Sequence, residues 1–109
     1  MPTNPICTIR LYSSAGSTAY VGTAVKITAI VSPDIAQSVQ VTVKDPGGTI
    51  LIDNVNMVSE TDVVYSYIYQ SNVVDIYGKY TIIVGANLNG HQVIQVLEIE
   101  LLEQPGLLR

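Results

Sequence analysis

The sequence predicts an all-β chain, with about seven antiparallel strands in two packed sheets. Three observations carry that expectation. Valine and isoleucine together supply 28 of the 109 residues, and β-branched side chains pack well on a pleated surface but lose rotamer freedom in a helix. Apolar and polar residues alternate with a period of two in several runs, and no stretch of about twelve residues keeps a helical period unbroken. Turn residues fall between the runs at about the 8–12-residue spacing of a two-sheet fold.

Taken in order, the first strand is expected over residues 6–12, where Cys7, Ile9 and Leu11 share one face and Cys7 reads as a small buried thiol. Ser13, Ser14, Ala15, Gly16 and Ser17 form a turn before a second strand over 23–31. There Val25, Ile27, Ala29 and Val31 alternate with Lys26, Thr28 and Ile30, and Ser32, Pro33 and Asp34 end the run. A third strand, 38–44, sets Val39, Val41 and Val43 against Gln40, Thr42 and Lys44. Asp45-Pro46-Gly47-Gly48 then makes a β-turn, since Pro presets φ and Gly tolerates its positive range. A short fourth strand follows at 49–53.

In the fifth, 64–70, Tyr65, Tyr67 and Tyr69 lie on one face, opposite Ser66 and Ile68. Such a stripe either fills a core or forms an exposed recognition ladder; packing is the expectation. The sixth strand, 79–86, leads to a hairpin at Asn87-Leu88-Asn89-Gly90. The seventh, 92–101, changes phase. Leu97, Ile99 and Leu101 oppose Glu98 and Glu100, but the same alternation carried backwards turns Gln95 inward and leaves Ile94 and Val96 outside. A bulge near 94–96 would repair this, and it is the expected solution; the alternative is that Ile94 and Val96 are exposed and meet a partner. The expected organisation is an N-terminal extension (1–5), a sandwich (6–102) and a C-terminal extension (103–109).

Composition narrows the function. Hydrophobic residues make up 48% and charged residues 13% of the chain, with a net charge of −4, which excludes a highly charged disordered tail. Five basic residues, scattered at Arg10, Lys26, Lys44, Lys79 and Arg109, do not make a nucleic-acid footprint. No apolar run approaches the ~20 residues that span a bilayer, so no membrane insertion is expected, and residues 1–5 lack the basic and apolar regions of a leader.

Chemistry is sparse. Cys7 is the lone cysteine, so neither an intrachain disulfide nor a Cys-based metal site is expected. His91 sits in a hairpin as a solvated residue, and any Ser-His-Asp constellation would have to use it. Asp34, Asp45, Asp53, Glu60, Asp62 and Asp75 are isolated, without the close spacing of a calcium loop. Neither catalysis nor a cofactor or metal is expected.

Four stretches carry a resemblance: residues 21–29 (VGTAVKITA), 39–49 (VQVTVKDPGGT), 64–69 (VYSYIY) and 77–84 (YGKYTIIV). Together they resemble a prokaryotic and phage immunoglobulin-like domain, of the kind found in minor virion proteins of tailed phages and in bacterial or archaeal surface proteins. The resemblance spans about residues 20–100 and departs from antibody domains, lacking the intersheet cysteine pair and the core tryptophan.

It implies an Ig-like antiparallel sandwich with the stripe of Tyr65, Tyr67 and Tyr69 turned inward. Tyr80, two residues after Gly78, would be a tyrosine corner. It further implies a non-catalytic structural protein of a phage particle, decorating the capsid or seated at the neck or tail. Its partners would be other virion proteins or copies of itself, and its location the virion, assembled in the host cytoplasm. The alternative is a cell-surface adhesion or carbohydrate-binding module that meets a host glycan. The surface is low in charge, which suits contact formation because charged residues are depleted at interface cores. Two adjacent leucines near the chain end have no obvious place in a closed sandwich, so Leu102, Leu107 and Leu108 join Ile94 and Val96 as candidate partner-binding residues. Full burial of Leu107 and Leu108 would contribute about 1.5–3 kcal/mol each.

Overall fold

Alternating apolar residues become strands in nine places in a computed structural model that describes residues 7–33, 35–72, 75–88 and 90–103. The strands are β1 (Cys7–Ser13), β2 (Thr18–Tyr20), β3 (Ala24–Pro33), β4 (Ser38–Lys44), β5 (Ile50–Asn56), β6 (Val58–Ser59), β7 (Val64–Gln70), β8 (Gly78–Leu88) and β9 (His91–Leu102). Seven of them fall on the seven expected runs. β2 and β6 correct that count to nine among the described residues. At three and two residues they are too short to show alternation, and each is defined by its neighbour. β2 lies parallel to the end of β9, with Thr18 beside Glu100, and β6 lies antiparallel to β7, with Val58 opposite Ser66.

One sheet has the order β1-β3-β7-β6 and the other β2-β9-β8-β4-β5. Their facing sides share one core. Val25, Ile27, Ala29 and Val31 on β3 are sealed from solvent, as are Val41 and Val43 on β4 and Ile82, Val84 and Ala86 on β8. A void of about 10 Å³ between the layers is lined by Val25, Ile27 and Tyr69 from one sheet and Tyr80, Ile82, Ile99 and Leu101 from the other. A hole of that size and apolar lining gives a water molecule no polar partner.

The tyrosines divide. Tyr65 and Tyr69 are buried, Tyr67 is half-buried against the same core, and Ile68 on the opposite face is 62% exposed. Tyr69 and Tyr80 meet across the sheets with ring centroids 6.4 Å apart at an interplanar angle of 44°. The Tyr80 hydroxyl donates to the Ile76 carbonyl at 2.7 Å, tying the approach to β8 back onto the core.

The β4–β5 connection is built by Asp45, whose Oδ1 accepts from the N–H groups of Gly47 and Thr49, each at 2.9 Å. This turn also fixes the start of β8. Gly78 has φ +129°, and a Cβ there would lie 2.9 Å from Cγ of Pro46, so the glycine answers both to backbone conformation and to close approach.

The bulge expected near residues 94–96 is not there. β8 and β9 pair without interruption from Gly78 opposite Leu101 to Leu88 opposite His91. The irregularity lies at the other edge of the sheet, where the β4–β5 register shifts between Val41 and Val43 and again between Val43 and Lys44. Asn54, at φ +49°, marks this distortion. Its N–H donates to Thr42 Oγ1 at 3.1 Å, and that hydroxyl donates in turn to Asn54 Oδ1 at 3.2 Å. An asparagine tolerates the left-handed region and bonds locally, which is why the extra residue settles there.

Candidate functional site

An unbroken β9 forces the phase change to be resolved by exposure. Ile99 and Leu101 point into the core, whereas Ile94 and Val96 stand outward, 56% and 50% exposed. Val96 pairs with the half-buried Ile83 on β8, and Ile94 pairs with Gly85. Because Gly85 has no side chain, Ile94 stands beside nearly bare backbone; a Cβ there would meet Gln92 Nε2 at 3.3 Å and Ile94 Cγ1 at 4.0 Å. Glu98, opposite Thr81, and the exposed Gln92 border the apolar strip at its two ends.

The strip runs beside an open sheet edge. β2 covers only Glu100, Leu101 and Leu102 of β9. Glu100 donates its N–H to Ser17 at 2.8 Å, and the Leu102 carbonyl accepts from Val21 at 2.9 Å. Even-numbered residues of β9 therefore aim their backbone groups away from β8. At residues 92, 94, 96 and 98 no strand pairs with them among the described residues, although β1 of the other sheet runs close to β9.

Gln95 partly fills this gap. Its Oε1 accepts from the Val96 N–H at 3.2 Å, and its Nε2 donates to the Ile9 carbonyl on β1 at 3.5 Å. The amide at position 95, the anomaly in the sequence, stays exposed at the rim and bridges the two sheet edges.

The other candidates are dispersed. Leu102 is half-buried, pairs with Tyr20 and lies eight residues from Ile94, about 26 Å along an extended strand. Leu107 and Leu108 lie outside the described residues, as do segments 1–5 and 104–109, Asp34 and the side chain of Cys7. Tyr65, Tyr69, Gly78 and Tyr80 are in or against the core, away from the β9 strip.

Titratable groups do not converge. Among the described residues no three His, Cys, Asp or Glu side chains form a group able to hold a metal ion, and His91 is exposed at the start of β9. Lys26 and Glu60 form an ion pair at 3.2 Å; hydrogen bonding to Ser66 and Lys26, with the Lys26 charge, holds the Glu60 carboxyl below its ordinary range. Both partners are exposed, where such pairs contribute little. An open depression of about 420 Å³ at one end of the molecule is lined by Ile35, Asn56, Met57, Asp62 and Tyr65, among others. The Tyr65 ring is buried beneath it rather than offered as a stacking surface.

No family model and no curated protein matches the chain. Solved structures do. An engineered protein is similar over 88% of the chain with TM-score 0.69 and 17% identity. An endo-β-1,4-mannanase from Thermotoga petrophila is similar over 90% with TM-score 0.65 and 12% identity. The chain spans about a fifth of each of those proteins, 20% in both cases. Identities this low speak to the fold alone: a two-sheet β-sandwich-like architecture.

Proposed function

We propose that this chain is an immunoglobulin-like module with a structural, non-catalytic role, holding neighbouring subunits of a phage particle through an apolar strip and its chain ends. The observation that carries this reading is the exposure of Ile94 and Val96 on a strand that needed only a bulge to hide them. Apolar residues grouped at a sheet edge and rimmed by polar ones mark interaction sites.

The immunoglobulin-like assignment is supported by the strand order, with one sheet of four strands and a second extended by β2 and β5. The Tyr80 hydroxyl tied back to Ile76 supports it too, as a tyrosine corner at the start of the corresponding strand does in that fold. The virion setting comes from the sequence resemblance, and the low charge of the chain fits a surface made to be covered. Leu107 and Leu108 belong to the same proposal as the second grip.

The test is to ask whether the chain is present in purified virions by mass spectrometry, and whether two variants are incorporated: Ile94→Lys with Val96→Lys, and a truncation of residues 104–109. The expected result is a particle-bound chain whose loading falls at least tenfold in the double variant and declines in the truncation. A chain absent from particles, or a double variant loaded as well as the parent, overturns the reading. Binding of the free chain to mannan or another glycan would instead favour a carbohydrate-binding module.

A further inference from the structure

The open edge of β9 has a pattern that fits a second copy of itself. We infer that two chains associate by antiparallel pairing of β9 with the partner's β9 about a two-fold axis at Gln95, joining two five-stranded sheets into one of ten. The inference uses the same strip as the proposed function and rests on its being a contact surface, but it names the occupant and needs no particle.

The backbone argument comes first. Residues 92, 94, 96 and 98 direct N–H and C=O outward from the edge, so a hydrogen-bonded partner strand must also present even-numbered residues. Centring the axis on residue 95 pairs 94 with 96 and 92 with 98 of the other copy, all even. The outer face then reads Gln92, Ile94, Val96, Glu98, polar at both ends and apolar in the middle. Reversed, it matches itself: Ile94 meets Val96, and the Gln92 amide meets the Glu98 carboxylate as a donor to an acceptor. Shifting the axis to 97 would set Val96 against Glu98 and Ile94 against Glu100, burying apolar groups against charges.

Comparison of the sheet edges points the same way. Native edges are blunted by bulges, charge or shortness. β5, the opposite edge of the same sheet, has two register shifts and the left-handed Asn54; β6 has two residues; β1 carries Arg10. β9 is twelve residues long, unbulged, and has neither Pro nor Lys. Among the described residues its guards are the charges of Glu98 and Glu100 at one end, β1 running nearby without pairing to it, and the Gln95 side chain over the Val96 N–H. Pairing about residue 95 displaces that cap and brings the two Gln95 amides together across the axis, where each is a donor and an acceptor for the other.

The test is sedimentation equilibrium of the purified chain up to about 0.5 mM, a range that captures associations of micromolar to sub-millimolar strength. The expected species has twice the 11.7 kDa mass of the chain. Val96→Pro should weaken dimerisation at least tenfold. It removes an N–H that faces away from β8, so the β8–β9 ladder is untouched, and proline is tolerated on an edge. Should that variant not fold, Val96→Lys reads the same contact through the side chain.

A chain monomeric throughout the range overturns the inference, as does a dimer indifferent to both Val96 variants. In either case the proposed function is judged separately, by loading onto particles.

Discussion

Tyr80 serves the fold through both ends of its side chain. The ring packs beside Tyr69 in the core, and the hydroxyl holds the Ile76 carbonyl at 2.7 Å. Tyr80→Phe keeps the ring and leaves that carbonyl without its donor, so urea denaturation should show a loss of about 1–2 kcal/mol. Gly78→Ala should cost about 1–3 kcal/mol, since the new Cβ meets Pro46 at φ +129°. Gly48→Ala should cost less, because nothing lies within 4 Å of the Cβ position and only the positive φ is strained.

Alkali tests the same core. Burial pushes the Tyr69 hydroxyl up to about 12, with nearby Asp75 adding to it, and burial raises Tyr80 as well. The unfolded chain loses these protons near pH 10, while the folded chain retains them. Their contribution is therefore complete below pH 10 and disappears as pH rises towards 12. The melting temperature should fall across that window, with phenolate absorbance of the buried rings appearing together with unfolding. A melting temperature flat to pH 12 would contradict the burial of these hydroxyls.

Among the elements, β9 separates folding from contact along one strand. Ile99 is buried and Ile94 is exposed, so Ile99→Ala should cost about 2–5 kcal/mol. Ile94→Lys with Val96→Lys should stay within about 0.5 kcal/mol of the parent. Equal losses in both variants would mean that the strip serves the fold. The strands that bury one face were legible because Val39, Val41 and Val43, or Val25, Ile27 and Ala29, spell out their own period. β2 and β6 were not, because three and two residues define no period and pair only where a neighbour is in place. The bulge was misplaced for a related reason. Alternation in β9 showed that either a bulge or exposure must occur, but the choice depended on the β8 register. The real bulge at Asn54 depended on a hydrogen-bonded partner, Thr42, twelve residues away. Ile94 and Val96 could be read from the sequence as a candidate surface; the Gln95 bridge to Ile9, across 86 residues, could not.

At the scale of the molecule, two sheets pack over an apolar interior and, among the described residues, leave the edge of β9 at residues 92–98 without a paired strand. That division assigns stability to the β-branched faces and contact to the rim. On the proposed reading, a chain with few charges and no convergent titratable group in its described residues would draw its specificity from the sheet edge and the two side chains beside it, which would set register and partner together. The most direct measurement is residue-resolved amide hydrogen exchange along β9, in the dilute free chain and in its assembled state. The account predicts that the amides of Ile94 and Glu98 exchange rapidly in the free chain while those of Val93 and Leu97, bonded to β8, are protected. Assembly should then protect Ile94 and Glu98. Uniform protection along β9 in the free chain, or no change at Ile94 and Glu98 on assembly, would contradict it.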